Sequence, residues 1–363
     1  MNIVMFDDSV PFDGFTAATK PLGGAEKAFA ALAGALAKAG HTVTVMNRCK
    51  HALMAEGARW RPLDTARPNE ADVLIAMRNP ELLGEVRRVD SRILWVPGDP
   101  KYLGNARNSD LLASHAPHLL FLTERQAAAY GGRLSAIVAS PGVNKAFFAD
   151  KPDLETYPDA NHPVIPVEEP EEEAAEPEVP EPEAIVTTHP LHGLETILNL
   201  WRDRIHTQKP DAKLTVYSAV LAKGMDGDAV PEAVVPVLEQ IQACADLNVH
   251  VSQPKGDRAM AEAYKRARVH LYPGHPRDYA CWTLRDSQAA GLPAVGRALG
   301  GVEDAIDNGQ TGFVVPDEDA FANVALQILT DDGVYTSLHA AAAAVERRRT
   351  WATAANIVSQ LWL

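Results

Sequence analysis

A run of proline and glutamate divides this chain and leaves each side to fold for itself. From Asp150 to Glu183 the sequence is rich in Pro, Glu and Ala, and residues 168–183 hold nine Glu with no Lys or Arg. Such a run cannot bury enough apolar surface to offset its ordering entropy, and its like charges keep it extended. We therefore expect a disordered linker over 151–183, between folded units at 1–150 and 184–345. At 363 residues the chain is long enough for two cores. The run also dominates the charge, since the formal −14 becomes −14 + 9 = −5 for the remainder. That remainder lacks the basic surface a nucleic-acid binder uses to displace counterions, so no nucleic-acid partner is expected.

The first unit opens with an apolar strand, Asn2–Phe6, and a long loop ending Pro21-Leu22-Gly23-Gly24. A helix follows over Ala25–Ala39, with Phe29, Leu32 and Leu36 on one face, stopped by Gly40, and then a strand over Thr42–Met46. Strand, glycine-rich loop, helix, strand is half of a nucleotide-binding fold. Gly23-Gly24 either brings backbone close to a phosphate or sugar at the positive end of the helix or makes a tight turn. The spacing is not GxGxxG, which disfavours an NAD enzyme. Further strands are expected at Val73–Met77, Arg92–Val96, Leu119–Leu122 and Ala136–Ala139, in the pattern of a parallel sheet with crossovers. Asp99, in Pro97-Gly98-Asp99-Pro100 after the strand Arg92–Val96, is either a turn-former or a site residue.

The second unit repeats the grammar. Strands are expected at Ala184–Thr188, Leu214–Ser218, Val249–Gln253, Val269–Tyr272 and Gly312–Val315, alternating with helices. One helix buries Leu194, Ile197, Leu198 and Trp201, and another is capped by Asp257. A final helical segment, 346–363, is expected to pack back toward the first unit. Cys49, Cys244 and Cys281 have no paired spacing, which suggests reduced thiols without a zinc site. The N-terminus MNIVMFDD has no signal-peptide pattern, and no stretch approaches the roughly 20 apolar residues of a membrane span. A cytoplasmic protein with at most peripheral membrane contact is expected.

The stretch with the most chemistry runs from Tyr272 to Asp317. It places Asp278 before a helix, Asp286 in the first turn of that helix, then a short strand and a turn on Gly300-Gly301. Thr283-Leu284-Arg285-Asp286 also reads as a capping box, and that alternative stays open on spacing alone. Asp226-Gly-Asp228 and Asp317-Glu-Asp319 have the Asp-x-Asp form of a metal grip, but both sit at turns or helix starts, and no metal is expected.

Asp278, seven residues, Asp286, then Ala289, Gly291, Pro293, Val295, Gly300, Gly301 and Gly312 together resemble the donor-binding segment of retaining GT-B-fold glycosyltransferases, glycosyltransferase family 4. Gly23-Gly24-Ala25-Glu26 with its helix resembles the family's opening helix, and Ser140-Pro141-Gly142-Val143-Asn144 with Phe147 resembles the end of its first domain. The resemblance implies two Rossmann-like α/β/α domains facing across a cleft. It implies a nucleoside-diphosphate-sugar donor, of UDP or GDP type, on the second domain, and a glycan or lipid-linked acceptor on the first. No cofactor beyond that co-substrate is implied, and the product would be a cell-surface polysaccharide.

By that resemblance Asp286 holds the donor ribose, Asp278 is the catalytic-site contact to the transferred sugar, and the backbone of Cys281, Trp282, Thr283 and Leu284 approaches sugar and phosphate. Thr187 and His192 stand where the family has an Arg and a Lys for the diphosphate, with His189, Arg277, Arg285 and Arg297 as nearby substitutes. Asp99 lies nearest the place of a first-domain catalytic histidine, and Gly23, Gly24 and Glu26 form the facing loop. Gln253, with Pro254 and Lys255, is expected near the base. The same departures motivate one rival, a sugar-nucleotide or glycan-binding protein without turnover; a GT-B-shaped sugar epimerase is a third alternative, which the double-Asp segment matches less well than the transferase pattern.

Overall fold

In the computed structural model, residues 1–148, 179–344 and 348–362 are described. The expected linker falls mostly outside them. Its last residues do not belong to it: Val179 packs against the second core, Pro182 O accepts from Lys213 N, and Glu183 already opens a strand. Val179 thereby buries apolar surface and Pro182 gives its carbonyl a ladder partner, as chain entering a sheet must.

The first unit is an eight-stranded sheet built from β1 (Asn2–Phe6), β2 (Thr42–Asn47), β3 (Leu53–Ala55), β4 (Ala58–Pro62), β5 (Glu70–Met77), β6 (Arg88–Trp95), β7 (His118–Phe121) and β8 (Ala136–Val138), in the order β3-β4-β2-β1-β5-β6-β7-β8. All pairs are parallel except β3 with β4, a hairpin whose turn residues Glu56 and Gly57 both have positive φ. The second unit has six parallel strands, β9 (Glu183–Val186), β10 (Lys213–Tyr217), β11 (Val249–Ser252), β12 (Val269–Tyr272), β13 (Ala294–Arg297) and β14 (Gly312–Val315), in the order β11-β10-β9-β12-β13-β14. The near-continuous apolar strands, such as Ile3–Phe6 and Ala184–Val186, are buried on both faces, as parallel sheets require.

Six helices matter for the site or its framework: α1 (Gly24–Lys38), α2 (Leu194–Leu200), α3 (Asp257–Arg266), α4 (Trp282–Ala289), α5 (Glu318–Thr330) and α6 (Trp351–Ser359). α1 buries Phe29, Leu32 and Leu36, and α2 buries Leu194, Ile197 and Leu198 with Trp201 just beyond its end, as their spacing predicts. α5 buries Phe321, Ala325 and Ile328 against the second core. α6 lies on the first unit: Ala355 and Val358 join its core, Trp351 lies 6.4 Å from Trp95, and Arg349 O accepts from Val143 N at 2.8 Å. Gly142 has no side chain because a Cβ there would meet the Trp351 backbone nitrogen at 2.4 Å. Conversely, Val143 and Phe147, which close the first unit, pack among Ile185, Tyr264 and Leu292 of the second. These exchanged apolar contacts bring the carboxyl edges of the two sheets face to face.

Candidate functional site: two sheet edges across a lysine

In each sheet the chain leaves the centre first one way and then the other, so the strand order reverses between β1 and β5 and between β9 and β12. Loops diverge at such points and leave a crevice at the strands' carboxyl ends. The side chains of interest lie just beyond them.

On the first sheet, Asp7 follows β1 and Arg78 follows β5. Arg78 donates from Nη1 to Asp7 Oδ2 at 3.2 Å and from Nη2 to Glu26 Oε1 at 2.5 Å. Ser9 donates through its hydroxyl to Asp7 and, at 3.4 Å, to Glu26. Burial raises the Asp7 pKa, while the Ser9 hydrogen bonds and Arg78 oppose the rise. Arg78 has φ 62°, a left-handed conformation that is costly for a side chain with a Cβ and is held by Tyr102, whose hydroxyl donates to Arg78 O at 2.6 Å. Asp99 opens the turn Pro100–Gly104 that carries Tyr102. Its carboxylate accepts from Lys101 N at 3.1 Å, which is turn chemistry, yet it also lies close enough to Tyr279 to raise that residue's pKa, second to burial.

On the second sheet, Thr187 follows β9, and the loop after β12 carries Asp278. Tyr272 donates its hydroxyl to Asp278 Oδ2, and Cys281 N donates to Oδ1 at 3.0 Å, so the carboxylate first pins its own loop. Each oxygen keeps a lone pair for a further donor. The Gly300-Gly301 turn closes on the same loop. Gly301 N donates to Asp278 O at 2.9 Å, and a Cβ at Gly301 would sit 2.0 Å from Tyr279 O. That neighbour is backbone and cannot rotate away. Gly301→Ala is accordingly expected to cost about 1–3 kcal/mol, read as an earlier urea midpoint; an unchanged midpoint would mean that the loop yields freely.

Cys281 is the N-cap of α4 with φ 46° and ψ 47°, and burial, then Asp278, pushes its thiol pKa up, so it remains protonated. Helix α4 starts at Trp282, which puts Asp286 one turn in and excludes the capping box. Thr283 instead accepts from Thr187 Oγ1 at 2.7 Å. Thr187 Oγ1 also lies 2.9 Å from His270 Nε2, and His270 Nδ1 lies 2.7 Å from Ser287 Oγ. His270 is fully buried, which lowers its pKa to about 3. Thr187 thus belongs to a neutral chain of hydroxyls and one imidazole. His192 stacks on His275 at 3.9 Å with 8° between the rings, and His189 lies 5.2 Å away. Burial, His275 and His189 lower the His192 pKa against the opposing pull of Asp278. At neutral pH it offers hydrogen bonds rather than charge.

The remaining residues named from the sequence are spread more widely. Leu284 is buried in a small core with Tyr272 and Val302, so only its backbone faces other groups. Gln253 is exposed beyond β11, and Arg297 at the end of β13 donates from Nη2 to Pro316 O at 3.5 Å. Arg285 donates from Nε to Ala280 O at 2.9 Å, which holds it to the loop. Gly24 has a specific reason to be glycine: a Cβ there would lie 2.2 Å from Trp282 Cγ, so Trp282 packs directly on the Gly23-Gly24 loop. Asp317 caps α5 through Ala320 N at 2.8 Å, and Asp319 pairs with Arg204. Among the described residues no group of three or more His, Cys, Asp or Glu is arranged to hold a metal ion, and no helix is long and apolar enough to cross a membrane.

Spacing gave no sign of Lys27. From α1 its Nζ lies 2.8 Å from Asp286 Oδ2 on α4 and 2.8 Å from Asp257 Oδ1 on α3, and 4.8 Å from the centre of the Phe147 ring. Asn144 donates to the other Asp257 oxygen at 3.2 Å. Asp257 is not the cap of α3, a place taken by Gly256; its carboxylate is used across the cleft. Burial works against the Lys27 charge, but Asp286 and Asp257 outweigh it and raise the pKa. Burial raises Asp286, and Lys27 opposes the rise.

Two α/β sheets with facing carboxyl edges, carboxylates on the second and a glycine-led helix on the first, define a two-domain fold of the GT-B type. Residues 185–331, most of the second domain, match the family described as glycosyl transferases group 1. Among curated relatives, D-inositol 3-phosphate glycosyltransferase of Xylanimonas cellulosilytica is 34% identical over 109 residues, 30% of this chain and 26% of the relative. The protein of the same name from Streptomyces avermitilis is 28% identical over 138 residues, 38% of this chain and 29% of the relative. The chain thus spans under a third of the length of these relatives. Solved structures align over nearly all of it. Sucrose-phosphate synthase of Thermosynechococcus elongatus has a TM-score of 0.68 at 16% identity, covering 100% of this chain and 98% of that one. HepE of Anabaena, in complex with UDP and glucose, has 0.68 at 14%, covering 99% and 98%. At such identities these likenesses define the fold.

Proposed function

We propose that the protein is a glycosyltransferase that moves a sugar from a nucleoside diphosphate, with retention and without a metal, to a hydroxyl-bearing acceptor. The observation that carries the reading is the pair Asp278 and Asp286. One loop and one helix after β12 bring both to the β9/β12 crevice, inside the segment that matches the family. A carboxylate accepts two hydrogen bonds from a vicinal diol, so Asp286 suits a ribose and Asp278 a hexose. UDP is the first nucleotide to test, because HepE was solved with it. The acceptor would lie against Asp7, Glu26 and Arg78, with Asp99 at its edge, and catalysis would rest on positioning and charge stabilisation in a closed cleft. A polysaccharide or lipid-linked acceptor at the inner face of a membrane fits this reading.

A thermal-shift screen with UDP, GDP, ADP, dTDP and CMP and their sugars tests the donor, since a ligand that binds only the native state raises the midpoint by mass action. Loss of one charge-assisted contact costs about 1.5–3 kcal/mol, roughly 10- to 150-fold. Asp286→Asn should therefore weaken nucleotide binding by that factor when both proteins carry Lys27→Met and Asp257→Asn, so that no cation competes for the carboxylate, while Asp278→Asn should weaken only the nucleotide sugar. Equal affinity with and without Asp286→Asn in that background would remove the ribose assignment. A second reading, binding without turnover, is favoured by one observation: Thr187, at the place of a diphosphate-binding cation, is committed to His270 and Thr283. Nucleotide-sugar binding with neither transfer nor hydrolysis across an acceptor panel would establish it.

A further inference from the structure

The Asp286 carboxylate proposed for the donor ribose already has an occupant. Its side chain is 11% exposed and that of Asp257 4%, and the cation between them comes from the other domain, 259 and 230 residues away in sequence. Trp282, packed on Gly24, and Thr19 and Ala18, against which a Cβ on Gly256 would collide, seal the same seam on either side. A ribose cannot reach a carboxylate so covered while α1 stays in place. We infer that Lys27 is an internal latch: it closes the cleft by occupying Asp286 in the absence of donor, and α1 must lift away, taking Lys27 with it, before a nucleotide can bind.

This inference rests on the donor assignment proposed above and adds a competitor to it. When only an open fraction of molecules can bind, the apparent dissociation constant is the intrinsic one divided by that fraction. Weakening the latch enlarges the open fraction, so it tightens nucleotide binding. A lysine that merely stabilises the fold would not do so, and one that contacts the nucleotide would do the reverse.

The test uses the full chain and a double variant, Lys27→Met with Asp257→Asn, which removes the cation without leaving two acids facing each other. Lys27→Arg serves as the control that keeps a cation in place. Calorimetry with UDP and with GDP should show at least tenfold tighter binding to the double variant, and small-angle scattering without ligand should show a larger radius of gyration. Lys27→Arg should resemble wild type in both. Unchanged or weaker nucleotide binding in the double variant would overturn the latch. If neither nucleotide binds either protein, the donor reading for these two bases falls, and scattering decides the latch by itself: an unchanged radius overturns it, and a larger one upholds Lys27 as the residue that holds the cleft shut.

Discussion

Lys27→Met alone should cost about 3–5 kcal/mol at neutral pH, the usual effect of stripping one partner from a buried ion pair. Asp286 and Asp257 both lie 2.8 Å from the same nitrogen, so without it two nearly buried carboxylates face each other. One of them must take up a proton or the domains must part. The sign of the pH dependence follows. In the variant the folded-state pKa of the pair rises above its unfolded value, so the penalty is full at pH 7 and shrinks as pH falls toward the ordinary carboxylate range near 4. Urea unfolding at pH 7 and pH 5 should therefore show a smaller gap between variant and wild type at pH 5. Adding Asp257→Asn should recover most of the loss at pH 7. A gap that does not depend on pH would mean that lost packing against Phe147, and not charge, accounts for the cost.

That cluster also marks where sequence reading reaches its limit. The strands on either side of the Gly23-Gly24 loop and the buried faces of α1 and α2 follow from periodicities of two and 3.6, which are local properties. Asp278 and Asp286 could be singled out because their spacing is local too. Lys27 could not, because its partners lie 230 and 259 residues away and α1 would be an equally good helix with a solvated lysine there. Asp257 was legible only as a helix-start acid, and the structure spends its charge across the cleft instead. The β3/β4 hairpin escaped for another reason. It is a three-residue strand facing a five-residue one, too short for alternation to stand out, although Glu56-Gly57 is the turn that could have betrayed it. Arg78 carried no local signal at all; its left-handed backbone and two acidic partners appear only once β1, β5 and α1 are assembled.

The acid limb of stability should be governed in large part by His270. This ring lies in β12, fully buried between Tyr264 and Tyr272, with a hydroxyl at each nitrogen and, among the described residues, burial as the only influence on its charge. Burial depresses its pKa from 6.5 to about 3. The unfolded chain therefore binds a proton that the native state refuses, and native stability is lost as pH falls from 6.5 toward 3, by about 1.4 kcal/mol per unit and at most about 5 kcal/mol over the whole window. Asp7 and Asp286, whose pKa values are raised, pull the other way, gaining relative stability as the solution acidifies. A comparison at fixed background separates them. His270→Gln cannot titrate but retains both acids, so it should be less stable than wild type at pH 7.5, with the gap narrowing steadily between pH 6.5 and 4.5 in urea titrations. Parallel curves would show that water reaches the ring and lets it charge in place. The consequence is local as well as global, because Thr187 and Thr283 hang on this imidazole at the mouth of the β9/β12 crevice. Charging it would break the neutral hydroxyl chain that orders the start of α4, so this edge of the second domain should loosen at a pH where the first domain is still folded.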